Sequence, residues 1–217
     1  MPDRGVSLGL LGDSALLLTF GEGIDAAIND RVHHLARRVA GAGLPGILGL
    51  VPAYATLAVH FDPRVWDPAA LGAELDRLGQ EPAGASAPRT VVIPVRYGGE
   101  DGPDLAEVAA HCGLTEAEVV RRHCAAEYRV FFLGFAPGFP YLGGLDPSLA
   151  TPRRAAPRTR VPRGSVGIAG PQTGVYPLET PGGWQLIGRT PLALFDPAAP
   201  DPCLLRAGDV LRFEALP

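Results

Sequence analysis

A short stretch near position 85 divides the chain into two parts and so limits what it can fold into. Residues 80–88 read QEPAGASAP, a run of small residues with two prolines and no apolar periodicity. This composition is typical of an interdomain linker rather than of a helix or a strand. We therefore predict a linker at 81–89 that joins a domain at 1–80 to a second domain at 90–217, both within the usual size of a domain.

The N-terminal part contains strand patterns and helix patterns in turn. The segments that fit them are strands at 15–20, 47–51 and 56–61 and helices at 25–39 and from Asp67 onward. In the first helix, Ile28, Val32, Leu35 and Val39 lie on one face. The second helix begins with Asp67 as N-cap and Pro68 at its first position. This order predicts a small α+β domain of the ferredoxin-like kind.

The C-terminal part contains two helices and many short β segments. We predict a strand at 90–95, a helix at 103–111 and a helix at 115–124, which starts with a capping box at Thr115. Five β segments separated by Gly and Pro follow at 129–135, 164–169, 183–188, 192–195 and 210–213. Short strands at such intervals predict a β-sandwich or a closed barrel.

The composition excludes several classes of function. All 19 basic residues are arginine, so a Walker A loop and Schiff-base chemistry, which each need a lysine, are excluded for this chain. The net charge of -4 and the pI near 5.7 argue against nucleic-acid binding. The three cysteines form no CxxC pair, and we find no signal-peptide pattern and no membrane-spanning apolar run. These features predict a cytoplasmic protein that binds no membrane.

A loop rich in aromatic residues, glycine and proline occupies positions 134–144 (GFAPGFPYLGG). Proline fixes φ and glycine permits positive φ, so the loop is stiff and has a defined shape. A stiff aromatic loop is suited to form one wall of a ligand pocket. The alternative is a structural loop whose aromatic rings only cover the end of the barrel.

Five arginines follow, interleaved with prolines at 152, 157 and 162: Arg153, Arg154, Arg158, Arg160 and Arg163. Arginine binds carboxylate and phosphate groups with two hydrogen bonds. The group as a whole predicts a site for an anion or an acidic partner. For each arginine taken alone, a solvated surface or an interface with another protein chain is the alternative.

The segment 164–177 invites a serine-hydrolase interpretation, which we reject. A nucleophile elbow reads G-x-S-x-G, but Arg163 stands two positions before Ser165 and no helix pattern follows. Ser165, Gln172, Thr173 and Tyr176 are instead candidates to donate hydrogen bonds to a ligand.

Two His-Cys pairs, His111-Cys112 and His123-Cys124, resemble metal ligands at first sight. Adjacent side chains on a helix point about 100° apart, so both rarely reach one ion. The separation between the pairs also exceeds the spacing within structural zinc pairs. We predict no metal site, and we keep His123 as a candidate acid or base because imidazole titrates near neutral pH.

These segments resemble the family formed by the B subunit of 5-oxoprolinase, which includes allophanate hydrolase subunit 1. The motifs that carry the resemblance are YRVFFLGFAPGFPYLGGL, TPRRAAPRTRVPRGSVGIAGPQTGVYPLETPGGWQLIGRTPLALFDP and LLRAGDVLRF, with GDSALLLTFG and VPAYATLAVHFDP upstream. The resemblance covers nearly the whole chain outside the linker. It implies an N-terminal α+β domain and a C-terminal cyclophilin-like β-barrel.

The resemblance also implies a function. Such chains join a homologous C subunit and a third protein, the A subunit, in a 5-oxoprolinase assembly that cleaves 5-oxoproline to glutamate with ATP and Mg²⁺. The isolated chain is expected to be inactive, and which of the three proteins holds ATP is left open. Two other functions stay open: subunit 1 of an allophanate hydrolase in a urea pathway, and a regulatory protein of the histidine-kinase-inhibitor type.

Matching the motifs implies the residues of the site. The catalytic candidates are Arg158 and Ser165, to which we add His123 for its imidazole chemistry and not from the motifs. The substrate-binding candidates are Phe135, Phe139, Tyr141, Arg153, Gln172, Tyr176, Trp184 and Arg189. In this scheme the arginines bind the carboxylate or a phosphate and stabilise developing charge, while the aromatic rings close the wall. Arg163 and Pro171 depart from the family's usual residues, which are a small residue at the first position and Asn or Gly at the second.

Overall fold

The computed structural model describes residues 5–80 and 88–217, and the chain forms two compact units that meet between Ala87 and Pro88. Residues 81–87 of the predicted linker lie outside the described residues. Arg89, predicted as the last linker residue, instead belongs to the second unit. Its guanidinium donates to the carboxylate of Asp209 at 2.5 Å, which fixes it to the far end of that unit's sequence.

The N-terminal unit consists of a four-stranded antiparallel sheet and two helices. In chain order these are β1 (Ser7–Leu10), β2 (Ala15–Thr19), α1 (Ala26–Ala42), β3 (Ile47–Pro52), β4 (Thr56–Phe61) and α2 (Pro68–Gln80). Asp25 caps α1, since its Oδ1 accepts from the backbone N–H groups of Ala27 and Ile28 at 2.8 and 2.9 Å. Buried aliphatic residues of β2 and β4 pack against those of both helices, so the helices cover the same face of the sheet.

The connectivity of this unit differs from the ferredoxin-like arrangement that the sequence predicted. A ferredoxin-like domain has the chain order βαββαβ, whereas this unit has ββαββα and the sheet order β1-β2-β4-β3. The edge strand β1 pairs with β2 as a hairpin, from Ser7 opposite Thr19 to Leu10 opposite Leu16. The α+β class is therefore confirmed, and the ferredoxin-like arrangement is not.

The C-terminal unit contains two longer helices and nine strands. They are β5 (Thr90–Tyr97), α3 (Leu105–Cys112), α4 (Glu116–Ala125), β6 (Tyr128–Leu133), β7 (Pro140–Gly143), β8 (Arg158–Val161), β9 (Ser165–Ala169), β10 (Gln172–Val175), β11 (Thr180–Gly182), β12 (Gln185–Arg189) and β13 (Val210–Ala215). A short 3₁₀ helix at Pro147–Leu149 follows β7. Thr115 caps α4, because its hydroxyl accepts from the Glu118 N–H at 3.2 Å. The reciprocal half of the predicted capping box is not formed, since the Glu118 carboxylate accepts from Arg121 and Arg122 instead.

Seven of these strands form one sheet in the order β10-β9-β12-β5-β13-β6-β7, and β8 pairs with β11 separately. β5 and β13 run parallel, and the other neighbours are antiparallel. The two outer strands, β7 and β10, lie against each other. The sheet is therefore nearly closed into a barrel around an aliphatic core, as the short strands predicted. Its likeness to a cyclophilin barrel stays a prediction.

Two predicted elements of this unit need correction. Residues 192–195 form no strand, because only Phe195 makes an isolated bridge, to Cys203. Helix α3 begins at Leu105 rather than at 103, and Asp104 makes no side-chain cap, because its carboxylate has other partners described below. Within 5–80 and 88–217, no helix is both long and apolar enough to cross a membrane.

Removal of the Asp209 carboxylate tests what holds the start of β5 to the turn before β13. Asp209 is only 5% exposed and accepts from Arg89 and from the backbone N–H of Arg206 at 2.7 Å. We expect Asp209→Ala to lower the free energy of unfolding by about 2–3 kcal/mol, because both donors lose their acceptor. Urea unfolding measures this change. Asp201→Ala is the matched control, since the Asp201 side chain is 55% exposed and should change stability by less than about 0.5 kcal/mol.

Candidate functional site

A small cavity in the C-terminal unit brings together three of the predicted site residues. Its volume is about 220 Å³, and its lining includes Arg158 from β8, Ser165 from β9 and Arg189 from β12. Arg160 and the acidic residues Glu100 and Asp101 also line it. The cavity is below the range of about 300–1,000 Å³ that holds drug-sized ligands, so it is suited only to a small molecule.

A larger groove of about 780 Å³ lies in the N-terminal unit, and none of the predicted site residues lines it. Its walls are mostly the apolar side chains of β1, β2 and the two helices. Size alone would favour this groove as the binding site. Because the groups able to bind an anion converge in the C-terminal unit instead, we place the candidate site there.

Asp104 organises the arginines beside the cavity. Its side chain is buried, and its Oδ1 accepts from Arg158 at 2.7 Å and from Arg154 at 3.0 Å. Its Oδ2 accepts from the backbone N–H of Leu186 at 2.7 Å. One carboxylate thus fixes β8, β12 and the segment that carries Arg154. Sequence analysis missed this residue, since an aspartate before a helix reads as a cap and nothing local links it to arginines 50 or more residues away.

Asp101 holds a second pair of arginines. Its carboxylate accepts from Arg96 at 2.7 Å and forms an ion pair with Arg189. The hydrogen bond from Arg96, reinforced by Arg189, lowers the pKa of the Asp101 carboxyl below its ordinary value. Arg160, the remaining cavity arginine, pairs with Glu179 at 2.9 Å. Every arginine that lines the cavity therefore already bonds a carboxylate.

Ser165 is held by backbone hydrogen bonds. Its N–H donates to the Pro162 carbonyl at 3.2 Å, and its carbonyl accepts from the Tyr176 N–H at 2.8 Å. The side chain is 2% exposed. Among the residues that the structure describes, no histidine or carboxylate bonds its hydroxyl, so no base is placed to activate it. This agrees with the rejection of a nucleophile elbow, and Ser165 stays a candidate hydrogen-bond donor.

The five predicted aromatic residues form one cluster beside the cavity. Phe139 is at its centre, with ring centroids 5.4 Å from Phe135, Tyr141 and Tyr176 and 5.5 Å from Trp184. All four contacts are edge-to-face, the arrangement that aromatic rings favour. The cluster is mostly buried, but Phe135 is 64% exposed. The predicted aromatic wall therefore exists, although none of its rings lines the arginine cavity.

Tyr176 connects the aromatic cluster with the arginines. Burial raises the pKa of its hydroxyl, and this is opposed by a backbone hydrogen bond from Trp184 and by the positive charges of Arg153 and Arg158. The backbone places this arginine segment beside the same phenol, because the Arg154 N–H donates to the Gly183 carbonyl at 2.8 Å and Gly182 lies against the Tyr176 hydroxyl. Arg153 is exposed, and within the described part of the chain it forms no ion pair with a carboxylate.

Gln172 begins β10 opposite Ala169 and is partly exposed. It does not line the arginine cavity. The two residues that depart from the family pattern, Arg163 and Pro171, are both exposed in turns that flank β9. Neither one narrows the cavity.

The comparisons with known proteins agree with the motifs. The family described as "Carboxyltransferase domain, subdomain C and D" matches residues 6–205. The B subunit of 5-oxoprolinase from Escherichia coli O157:H7 is 51% identical over 208 residues, which cover 94% of this chain and 93% of that protein. The chain belongs to this family. The B subunit of 5-oxoprolinase from Bacillus subtilis (strain 168) is 46% identical over 215 residues, covering 94% and 90%.

One solved structure shows that this region also occurs within a longer chain. The crystal structure of TTHA0988 matches with a TM-score of 0.86 and 45% identity. The match covers 94% of this chain but only 40% of the TTHA0988 chain. TTHA0988 is therefore a longer chain, of which one region is similar to this protein. The rest of the TTHA0988 chain lies outside the match.

His123, the predicted acid or base, lies in the core of the barrel and outside the candidate site. Its ring is fully buried and stacks on Phe213 with centroids 4.4 Å apart. Burial lowers the pKa of the imidazole to about 3. A neutral ring that solvent does not reach cannot exchange protons with a ligand in this conformation. His123 was predicted to act as an acid or base, but both nitrogens of its neutral ring are instead engaged in a buried chain of hydrogen bonds.

The direction of that chain follows from the hydroxyl of Thr173. Thr173 Oγ1 donates its one proton to the Gly167 carbonyl at 3.0 Å, so it must accept from His123 Nε2 at 2.9 Å. His123 Nδ1 is then free to accept from the Tyr97 hydroxyl at 2.7 Å, and the Tyr97 oxygen accepts from Cys124 Sγ at 3.5 Å. The chain fixes the Nε2–H tautomer of His123 and ties α4 and β5 to β9 and β10.

The buried histidine makes stability depend on pH. The folded pKa of about 3 lies below the ordinary histidine pKa of 6.5, so the unfolded state binds the proton first. The contribution of His123 to the free energy of unfolding is fully present above pH 6.5. On acidification it falls by up to about 1.4 kcal/mol per pH unit until about pH 3. Urea unfolding at pH 7, 6 and 5 should show this slope in the native chain and a flatter one in His123→Gln. His111→Gln, at an exposed position of α3, should keep the native slope, and an unchanged slope in His123→Gln would contradict a buried neutral imidazole.

Neutralising Asp104 tests whether it holds the site together. In Asp104→Asn the guanidinium groups of Arg154 and Arg158 lose their shared anion in a partly buried setting, so we expect a loss of about 3 kcal/mol of unfolding free energy. Glu107→Gln is the control, because Glu107 approaches the same Arg154 at 3.8 Å with a side chain that is 62% exposed. That variant should change stability by less than about 0.5 kcal/mol. An equal loss of unfolding free energy in the two variants would show that the buried ion pairs of Asp104 stabilise the fold no more than the exposed contact of Glu107 does.

Proposed function

We propose that this chain is one component of an ATP-dependent 5-oxoprolinase, an assembly that opens the lactam of 5-oxo-L-proline to give L-glutamate. The observation that carries the proposal is the match to two proteins named as the B subunit of 5-oxoprolinase, at 51% and 46% identity over nearly the full length of both. The partners in this proposal are the homologous C subunit and the A subunit of the assembly. The site is the region around Tyr176 where the aromatic cluster and the arginines meet.

The arrangement is suited to a small, flat anion. 5-Oxoproline has one carboxylate and a five-membered ring, and arginine and aromatic side chains bind such groups respectively. The rigid loop at 134–139 and the carboxylate-anchored strands hold these side chains in place before a ligand arrives, which lowers the entropy lost on binding. Ser165, which lines the cavity with the arginines, and the Tyr176 hydroxyl are the hydrogen-bonding groups in this proposal.

ATP does not fit this part of the site. The arginine cavity is about 220 Å³, smaller than the pockets that hold drug-sized molecules. A triphosphate needs several cations, and each arginine of this cavity already bonds a carboxylate. The chain also lacks the lysine of a P-loop. We therefore place nucleotide binding outside this cavity and assign no step of the ATP reaction to its residues.

Reconstitution of the assembly tests the proposed function. This chain is co-purified with the C and A subunits, and glutamate release from 5-oxoproline is measured with and without ATP. We expect release to require ATP and to fall at least about tenfold when this chain alone is left out, with recovery when it is added back. If the complete assembly leaves 5-oxoproline intact, the proposal fails. Allophanate hydrolysis and inhibition of a histidine kinase are then the activities to measure.

A further inference from the structure

The arginines near Tyr176 are not equivalent in charge. Arg158 donates to Asp104, and Arg189 pairs with Asp101, so their charges are largely compensated within the protein. Arg153 is exposed and, among the described residues, pairs with no carboxylate. Its segment nevertheless runs beside Tyr176, because the N–H of the next residue, Arg154, donates to the Gly183 carbonyl at 2.8 Å. The neighbouring Gly182 lies directly against the Tyr176 hydroxyl. A guanidinium without an internal partner is the one of the three that can pair with the carboxylate of a ligand without first breaking an ion pair.

Phe135 is presented by a strained turn. The N–H of Ala136 donates to the Gly134 carbonyl at 2.7 Å, which closes a three-residue γ-turn with Phe135 at its centre. Its φ is +65°, and it is the one non-glycine residue with positive φ in the described part of the chain. The γ-turn of this sign is the rare and strained form. Backbone strain of this kind persists only where the surroundings impose it and is concentrated at functional sites.

The surroundings of Phe135 do impose that conformation. Gly134 N–H donates to the Phe139 carbonyl, and Phe139 N–H donates to the Ala136 carbonyl, both at 3.0 Å. The Phe135 ring then meets Phe139 and Tyr176 edge-on, with centroids 5.4 and 6.5 Å away. Despite these contacts it is 64% exposed. The loop therefore holds a large apolar ring in contact with solvent beside Tyr176, where burying it would release water.

From these observations we infer that Arg153 binds the carboxylate of the substrate and that Phe135, with Tyr176 beneath it, covers the apolar face of the lactam ring. The inference rests on the proposed function and specifies where its substrate binds. Of the three arginines that the family motifs implied, Arg153, Arg158 and Arg189, it assigns the carboxylate to the exposed Arg153 alone. Arg158 and Arg189 then serve as paired supports of the strands.

Kinetics of the reconstituted assembly test this assignment. The loss of a contact made equally in the ground state and the transition state raises KM and leaves kcat unchanged. We expect Arg153→Gln to raise KM for 5-oxoproline at least tenfold with kcat within about twofold. Phe135→Ala should also raise KM, and Phe135→Tyr should restore it. Arg163→Gln is the matched control, since Arg163 is an exposed arginine of the same segment, and it should behave like the native chain.

A second measurement tests the strained turn by itself. At ordinary positions glycine is less stabilising than alanine, but at positive φ the order reverses because alanine is strained there. The Phe135→Gly variant should therefore melt at a higher temperature than Phe135→Ala. The opposite order would overturn the strained presentation of Phe135.

The outcomes separate the inference from the proposed function. If the native assembly cleaves 5-oxoproline but Arg153→Gln leaves KM within twofold of the native value, the inference is wrong and the proposed function stands. The same holds if Arg189→Gln raises KM while Arg153→Gln does not, which would place the carboxylate in the cavity. If the native assembly does not cleave 5-oxoproline, the proposed function fails and this assignment of its substrate fails with it.

Discussion

The candidate site depends on the buried carboxylate of Asp104. It receives hydrogen bonds from Arg154, from Arg158 and from the backbone of Leu186. An isolated carboxylate at 3% exposure would be unstable in its charged form. The guanidinium groups of Arg154 and Arg158 offset the negative charge of Asp104. That negative charge in turn reduces the repulsion between the two guanidinium groups, so both can bind the same oxygen. Three segments that are distant in sequence are thereby fixed to one another.

This pairing has a consequence for how the site distributes charge. Arg158 and Arg189 are compensated by Asp104 and Asp101, whereas Arg153 lies at the surface and pairs with no carboxylate among the described residues. The barrel interior follows the same rule, since His123 is neutral and each of its ring nitrogens has one partner. The buried carboxylate of Asp104 is thus paired with guanidinium groups, and the core around His123 contains neutral groups joined by hydrogen bonds with a fixed direction.

Local signals predicted the elements well, while long-range pairing was beyond them. Asp67 and Thr115 predicted the starts of α2 and α4, and the apolar face from Ile28 to Val39 predicted α1, because caps and apolar faces are local properties. The aromatic residues were found because they occur in distinctive motifs. Asp104 was missed because its partners are 50 and 54 positions away. His123 was misplaced because nothing near it in sequence shows that Tyr97 and Thr173 enclose it.

The position of β5 in the sheet affects how the C-terminal unit folds during synthesis. Its two neighbours are β12, which begins at Gln185, and β13, which begins at Val210. The backbone N–H and C=O groups on both edges of this valine-rich strand therefore have no partner strand while the ribosome synthesises most of the unit. A nascent strand of that kind invites pairing with other chains. Pro94 interrupts it, and the final sheet accommodates this proline because β12 pairs only with Arg96 and Tyr97. The proline therefore protects the unfinished chain at a position where the finished one does not need the missing N–H.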